Sequence, residues 1–236
     1  MNIVIILTCT VNTQPHISWL KQRNSVERLN MYLNIIIKWL TKTNLQIVTI
    51  ENSGIDLKNE LIKKFTDFKL EQYLDRFESI TYQYDNISTE DKEFLNSNEA
   101  KGHHELYAIN YAYSNSELIR KCNYLIKITG RYFIPSFENN LLQELQKKYN
   151  CNYITNIIRQ SQKWRGWNRC EILGCHINNF NDIFKYPSNN DMLEEEYMLR
   201  ANNKKKDNND YKIFELPLLK LDKPTKQGVG NIINCL

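Results

Sequence analysis

The chain has 236 residues, of which 42% are apolar and 25% charged, and its formal net charge is +4. This composition is typical of a folded globular protein and excludes an intrinsically disordered chain. The small positive excess suits an anionic ligand, but it falls short of the dense basic surface of a dedicated nucleic-acid-binding protein. We therefore expect one α/β domain without a nucleic-acid partner, since no Gly/Ser-rich or Pro-rich linker divides the chain.

The amino-terminal segment MNIVIILTCTV is apolar but lacks the basic region and the cleavage site of a signal peptide. At about ten residues it is too short to span a bilayer, and no other segment is long and apolar enough. The six cysteines are scattered without a C-x-x-C pair, which favours buried free thiols in a reducing compartment. The sequence therefore predicts a cytoplasmic protein with no membrane span.

The first 135 residues alternate between strand and helix patterns. Residues 3–8, IVIILT, form a β-branched run typical of a strand buried on both faces of a parallel sheet. A helical pattern follows, with Ser25 predicted as its amino-terminal cap. Further strands are predicted at LQIVTI, FESITYQYD and NYLIKI, and further helices at DLKNELIKKF and HHELYAINYAYSNSELI. The order β-α-β-α-β-α-β predicts an open, mostly parallel, doubly wound sheet.

The second part of the chain has weaker patterns. Helices are predicted at FENNLLQELQKKY and NDMLEEEYMLRANN, strands at CNYITNIIRQ and RCEILGCHI, and a solvated charged loop at NKKKDNNDY. The tail is expected to be extended, because Pro217 and Pro224 disfavour a helix.

Four short stretches follow predicted strands or begin a helix, where ligands bind in open α/β sheets. They are Thr8-Cys9-Thr10, Glu51-Asn52-Ser53-Gly54, Lys101-Gly102 and Thr129-Gly130-Arg131. A carboxylate and an amide can bind a base and a ribose hydroxyl, while a lysine, a glycine turn and a helix amino terminus suit a phosphate. Together the four stretches predict a nucleotide site, although polar residues also end most strands.

The segments IVIILTCT, QIVTIENSG, KGHHELYAINYAYSNS and NYLIKITGRYF occur in an order that resembles the nucleotide-sugar-binding half of a GT-A glycosyltransferase. More narrowly, they are similar to short GT-A-like proteins of large DNA viruses and bacterial surface-polysaccharide clusters. The resemblance implies a single GT-A-like domain, with residues 1–135 as the nucleotide-sugar-binding half. Residues 136–236 would then form the acceptor-binding half and the carboxyl-terminal tail.

The resemblance also implies the reaction and its partners. The enzyme would be a hexosyltransferase that moves a sugar, with inversion, from a UDP- or GDP-linked donor to a hydroxyl of a glycan or glycoprotein. A viral member would act in the host cytoplasm. The implied donor-binding residues are Thr8, Thr10, Arg28, Glu51, Asn52, Ser53, Lys101, Gly102, Thr129 and Arg131.

Thr129-Gly130-Arg131 stands where the family has a metal-binding Asp-x-Asp motif. Mg²⁺ and Mn²⁺ require oxygen ligands, which a guanidinium does not provide. Arg131 can instead form a two-pronged contact with phosphate oxygens. We hypothesise that Arg131 replaces the metal, with a structural ion pair as the alternative, and we leave Lys127 out of the site. No metal ligand is assigned, because none of the four histidines has metal-ligand spacing with a carboxylate, although a requirement for Mg²⁺ or Mn²⁺ stays open.

The segment MLEEEYMLR resembles the motif that carries the catalytic base in inverting family members. A carboxylate among Glu194, Glu195 and Glu196 would take the proton from the acceptor hydroxyl. Its position in the motif favours Glu195, with Glu194 as the second candidate. The alternative is that the three glutamates only complement the helix dipole and face water.

The segment KWRGWNRCE combines aromatic and basic residues, which suits a sugar ring. We predict an acceptor site formed by Trp164, Arg165 and Trp167. The tryptophans would otherwise be core anchors, and interleaved basic and aromatic residues also occur in nucleic-acid binding.

Two other functions remain open from the sequence. A sugar-phosphate nucleotidylyltransferase uses a related sheet, but its first strand should lead into a Gly-rich basic loop, and TCTVNTQPH contains no glycine. A noncatalytic module that binds glycan or nucleotide would account for the absent Asp-x-Asp motif.

Overall fold

The computed structural model describes residues 1–13, 23–67, 69–97, 101–149, 155–160, 171–188, 193–207, 211–226 and 232–236. Its strands are β1 (Ile3–Cys9), β2 (Gln46–Glu51), β3 (Phe77–Thr81), β4 (Tyr124–Thr129), β5 (Thr155–Gln160), β6 (Ile172–His176), β7 (Lys212–Leu216), β8 (Lys220–Lys226) and β9 (Ile232–Cys235). Its α-helices are α1 (Ser25–Lys42), α2 (Leu57–Lys64), α3 (Thr89–Ser97), α4 (Lys101–Asn115), α5 (Glu117–Arg120), α6 (Phe137–Tyr149), α7 (Phe180–Ile183) and α8 (Leu193–Asp207).

Seven of these strands form one sheet in the order β3-β2-β1-β4-β6-β5-β7. β4 is its central strand, and β1, the next strand toward β3, pairs in parallel with β2 and with β4. β6 is antiparallel to both of its neighbours, whereas β7 is parallel to β5. The mostly parallel α/β sheet predicted from the strand and helix alternation is therefore confirmed.

Successive residues of β1 face opposite sides of the sheet, and each side is covered by helices. Ile5 and Leu7 belong to a buried cluster that includes Trp39 of α1. Val4 and Ile6 belong to a second buried cluster that includes Leu106 of α4. The doubly wound arrangement follows directly from this alternation, because a strand that is apolar on both faces needs cover on both.

Two local predictions are wrong. The cap of α1 is Asn24, whose side chain accepts a hydrogen bond of 3.1 Å from the amide of Glu27, whereas Ser25 is already helical. Both residue types are good caps, so the sequence pattern did not separate them. The predicted charged loop at residues 203–211 also begins within α8, since lysines favour helices and suit a helix carboxyl terminus.

The amino termini of α1 and α4 lie at the edge of the sheet where β1 and β4 end. On α1, Arg28 Nε donates to the carbonyl oxygen of Thr10 at 2.6 Å. On α4, Glu105 lies within 2.7 Å of the hydroxyl of Thr8. Both helices therefore point their amino termini toward the carboxyl edge, which is the arrangement that favours an anion there.

The tail is extended, as predicted, and it packs beside the turn that follows β4. The carbonyl oxygen of Tyr132 accepts from Trp39 Nε1 at 2.9 Å, and that of Phe133 accepts from the amide of Asp222 at 3.2 Å. The Asp222 carboxylate forms an ion pair with Lys38 of α1. In the described parts of the chain, no helix combines the length and apolar character needed to cross a bilayer.

Candidate functional site

The structure brings three of the four predicted stretches to one edge of the sheet. Thr8 of β1 pairs with Thr129 of β4, and Cys9 pairs with Glu51 of β2. Thr8 and Thr129 each retain 9% of their accessible surface. The polar ends of three neighbouring strands therefore form one continuous surface, as the parallel sheet required.

Glu51 organises the loops at this edge. Its carboxylate is fully buried and accepts four hydrogen bonds, two on each oxygen. The donors are the amides of Val11 (2.8 Å), Ser53 (2.9 Å) and Ile55 (2.8 Å) and the hydroxyl of Ser53 (2.5 Å). Because all these bonds are satisfied within the chain, the geometry favours a role for Glu51 in shaping the loops rather than in contacting a ligand.

The loop after β2 turns sharply at Gly54, whose φ of +87° favours glycine. The Ser53 hydroxyl is already engaged, because it donates to Glu51 and accepts from the amide of Asn12 at 2.9 Å. Asn52 differs, since its Oδ1 is buried without a hydrogen-bond donor among the described residues. Asn52 is therefore the member of this predicted stretch with acceptor capacity to spare.

Arg28 is 4% exposed and lies on the first turn of α1. Besides its bond to Thr10, its Nη2 donates to the hydroxyl of Tyr32 at 2.8 Å. These two contacts hold the guanidinium beside the end of β1. The structure thus places Arg28 and Thr10 together, and Thr10 contributes its carbonyl oxygen to the contact.

Arg131 follows the end of β4 and retains 8% of its accessible surface. Its guanidinium carbon lies 5.3 Å from the centre of the Tyr132 ring, and its Nε is buried without an acceptor among the described residues. Burial acts to lower the pKa of Arg131, but Tyr132, Tyr32 and Glu105 more than offset it, so that the pKa is raised. The guanidinium is therefore charged at every physiological pH, and part of its hydrogen-bonding capacity is unused.

Gly130 allows the turn that follows β4 to lie against β1. Its amide donates to the carbonyl oxygen of Thr8 at 2.9 Å, and a Cβ at this position would lie 2.5 Å from Cys9 Sγ. A side chain would therefore force the two strand ends apart. The glycine in Thr-Gly-Arg is explained by this close approach of two backbones.

Lys127 and Glu105 are functional candidates that the sequence reasoning missed. Lys127 is 1% exposed, and its Nζ lies 2.9 Å from Glu105 Oε1. The same carboxylate oxygen accepts from the hydroxyl of Thr8 at 2.7 Å. A lysine inside the apolar strand YLIKIT was the available signal, because a buried ammonium requires an acidic partner.

Glu171 is a third residue that the sequence reasoning missed. It immediately precedes β6, and its carbonyl oxygen accepts from the amide of Thr129 at 3.0 Å. Because β6 is antiparallel to β4, it begins at the edge where β4 ends. The backbone of Glu171 is therefore anchored beside the Thr-Gly-Arg turn.

The other predicted residues are less closely grouped. Lys101 and Gly102 form the first turn of α4, as expected. Glu194, Glu195 and Glu196 open α8, and each is partly buried. Trp164, Arg165 and Trp167 lie outside the described residues.

Within the acidic cluster of α8, Glu196 has a structural partner. Its Oε1 lies 2.8 Å from Arg200 Nε, and Arg200 Nη1 donates to the carbonyl oxygens of Ile183 (3.1 Å) and Lys185 (3.0 Å). These contacts anchor α8 to the end of α7. Glu196 therefore has a structural role in this helix.

The GT-A fold commonly holds a divalent cation at the edge where β4 ends, and the residues of this chain do not fit one. Lys127 and Arg131 place positive groups there, Glu51 is saturated by hydrogen bonds, and Glu105 is engaged with Thr8 and Lys127. In the described ranges, no three His, Cys, Asp or Glu side chains are grouped as metal ligands. The donor set suits an anion instead.

No protein-family model and no curated protein matches the chain. Its fold is similar to that of a solved Desulfovibrio desulfuricans G20 protein provisionally described as a nucleotide-diphospho-sugar transferase. The TM-score is 0.50 and the identity 11%, over 92% of this chain and 80% of that chain. This likeness shows the fold and confirms the predicted GT-A-like α/β class.

Two further solved structures are more distant, with TM-scores below 0.5. A cytidylyltransferase of Leptospira borgpetersenii has a TM-score of 0.44 and 11% identity, covering 92% of this chain and 76% of that chain. S. aureus TarS 1-349 has a TM-score of 0.43 and 12% identity, covering 85% of this chain and 55% of that chain. The fold assignment therefore depends on the Desulfovibrio protein.

Proposed function

We propose that this protein is a GT-A-like glycosyltransferase that moves a sugar from a UDP- or GDP-linked donor to a hydroxyl of a glycan or glycoprotein. The observation that carries the proposal is Arg131, a buried guanidinium at the end of β4 whose Nε has no acceptor within the described residues. A buried N–H of a charged group is costly to leave without an acceptor, so this position favours a negatively charged ligand. The description of the Desulfovibrio protein of similar fold supports a nucleotide diphosphate as that ligand.

Arg131 would act on the leaving group. As the acceptor oxygen bonds to the anomeric carbon, the bond between that carbon and the diphosphate oxygen breaks, and the nucleoside diphosphate leaves with both bonding electrons. The negative charge on its oxygens therefore grows during the reaction. A guanidinium already held in place binds the developing charge more strongly than the ground state, which accelerates transfer.

The proton of the acceptor hydroxyl needs a base on the other side of the sugar. We propose Glu195 for this role, from its position in the MLEEEYMLR motif, and Glu194 as the second candidate. Attack opposite the leaving group gives inversion at the anomeric carbon. Trp164, Arg165 and Trp167 are proposed to bind the acceptor glycan, within an acceptor half formed by residues 136–236.

Arg131 is also proposed to replace the divalent cation of related enzymes. Transfer would then proceed in EDTA at the rate measured with Mn²⁺, because the charge of the leaving diphosphate is met by a side chain. A strict requirement for Mn²⁺ or Mg²⁺ would contradict this part of the proposal. The cytoplasmic location and the viral or bacterial affiliation stay sequence predictions.

The test is a thermal-shift screen of UDP, GDP and their sugar conjugates, in EDTA and in Mn²⁺, followed by a donor-hydrolysis assay. A ligand at 100 times its Kd adds about 2.7 kcal/mol of stability. For a domain of this size, that raises Tm by roughly 5–10 °C. Stabilisation by a nucleoside diphosphate together with donor hydrolysis supports the proposal.

The same screen separates the two rival functions. Binding without hydrolysis or transfer, even with glycan acceptors added, would indicate a noncatalytic module. Pyrophosphate release from a nucleoside triphosphate and a sugar phosphate would indicate a nucleotidylyltransferase. No stabilisation by any nucleotide or nucleotide sugar would overturn the proposed function itself.

A further inference from the structure

A buried ion pair lies directly beneath two threonines of the candidate donor site. Glu105 of α4 and Lys127 of β4 are 14% and 1% exposed, and 2.9 Å separates Glu105 Oε1 from Lys127 Nζ. The same Oε1 accepts from Thr8 Oγ1 at 2.7 Å, and Lys127 Nζ donates toward Thr129 Oγ1 at 3.5 Å. One carboxylate thus joins the ends of β1 and β4 to α4.

This arrangement fixes the direction of each threonine hydrogen bond. An ionised carboxylate only accepts, so the one hydrogen of the Thr8 hydroxyl is directed at Glu105. The remaining capacity of Thr8 Oγ1 is therefore to accept from a ligand. An ammonium only donates, so Thr129 Oγ1 faces Lys127 with a lone pair and keeps its own hydrogen to donate elsewhere.

We propose that Glu105 is a positioning residue that, with Lys127, gives the two threonines opposite roles toward a bound nucleotide. Thr8 accepts a hydrogen bond from an O–H or N–H of the nucleoside, and Thr129 donates one to the diphosphate. This inference rests on the proposed function and adds to it, because it assigns the hydrogen-bond polarity of the donor site. Glu105 acts through its neighbours rather than on the reacting atoms.

Glu78 is a matched control for Glu105, because it is a carboxylate with a purely structural contact. Glu78 of β3 accepts from the hydroxyl of Ser116, and it accepts from the amide of Leu118 at 3.1 Å. Like Glu105, it joins the sheet to a helix by way of a hydroxyl group. It lies at the opposite edge of the sheet, since Ser116 follows the carboxyl end of α4.

The experiment measures Tm and the Kd for UDP and for GDP, by calorimetric titration, on purified full-length variants. Glu105→Gln is expected to lose stability, because Lys127 is left buried without its counter-ion, and to bind the nucleotide about tenfold more weakly. The double variant Glu105→Gln/Lys127→Met removes the stranded charge. Its Tm is expected to return toward the wild-type value, while its affinity stays about tenfold weaker.

Three single variants complete the set. Glu78→Gln is expected to lower Tm and leave the Kd within about twofold, since it has no connection to the carboxyl edge. Thr8→Ser retains the hydroxyl and is expected to keep wild-type affinity. Thr8→Val removes it, and we expect binding about tenfold weaker and a lower Tm, because Glu105 loses a hydrogen-bond donor.

The outcomes separate this inference from the proposed function. If the double variant recovers both Tm and affinity, or if Thr8→Val binds like the wild type, the ion pair is merely structural and the inference is overturned. If neither UDP nor GDP binds the folded wild-type protein, the proposed function fails and the inference fails with it. If Glu105→Gln does not fold, the double variant and the Thr8 pair still decide the question.

Discussion

Replacing Arg131 with methionine is expected to lower ligand affinity far more than it changes stability. Methionine has a similar length and no charge, so it fills the same buried position without a guanidinium. The affinity for the donor diphosphate should fall, because the charge-assisted contact is lost. The stability of the ligand-free protein should change little, because the burial cost of the guanidinium and its favourable contacts with Tyr132, Tyr32 and Glu105 are removed together.

The size of each effect follows from the surroundings of Arg131. A hydrogen bond to a charged group contributes about 1.5–3 kcal/mol, which corresponds to a loss of roughly 10- to 150-fold in Kd. Burying one ion costs several kcal/mol, and the attraction of its neighbours offsets this cost at Arg131, so we expect the free energy of unfolding to change by less than about 1 kcal/mol. The contact with the Tyr132 ring, at 5.3 Å, supplies about 0.5–2 kcal/mol of that attraction.

The assay pairs urea unfolding of the ligand-free protein with titration by UDP or GDP. Arg131→Lys is the control for charge, because it keeps the cation and loses the planar two-pronged geometry. Its affinity should therefore lie between those of the wild type and Arg131→Met. If Arg131→Met lost more than about 1 kcal/mol of stability and kept its affinity, Arg131 would be a structural residue. The reasoning from its unsatisfied nitrogen would then be refuted.

Three further predictions concern catalysis, packing and thiol chemistry. Glu195→Gln should lower kcat by about 10²- to 10⁴-fold with little change in KM. Glu196→Gln is the control and should keep its turnover. A Glu195→Gln enzyme with wild-type activity would exclude Glu195 as the base. Gly130→Ala should cost about 1–3 kcal/mol in urea unfolding, because its Cβ would lie 2.7 Å from the carbonyl oxygen of Thr8, and an unchanged midpoint would contradict this contact. Burial raises the pKa of Cys122 to about 12, so its thiolate fraction at pH 8 is lower than in the unfolded chain. Iodoacetamide should therefore modify Cys122 only after denaturation, which peptide mass spectrometry can measure.

The sheet and its carboxyl edge were predictable because local patterns determine them. A β-branched run such as residues 3–8 favours a strand buried on both faces, and a strand that ends in polar residues marks the ligand edge. Thr8, Glu51 and Thr129 were grouped for that reason, and the structure places them together. Their grouping needed only the order of the elements.

The pairing of Glu105 with Lys127 was not predictable in the same way. It depends on which face of α4 meets the sheet and on which face of β4 Lys127 occupies, and both are set by packing. The saturation of Glu51 also required the loop geometry, because its donors come from residues on both sides of β2. Sequence reasoning therefore grouped the strand ends that form the candidate site, while the contacts of its charged residues depended on the three-dimensional arrangement.

The turn that contains Arg131 is held by hydrogen bonds from segments that lie far before it and far after it in the chain. Trp39 holds the carbonyl oxygen of Tyr132, Asp222 holds that of Phe133, and Lys38 joins Asp222 to α1. During synthesis on the ribosome, the contacts of Asp222 with this turn and with Lys38 form only after residue 222 has emerged. A fragment that ends at residue 135 would therefore carry every proposed donor-binding residue and still lack one of the contacts that hold their geometry.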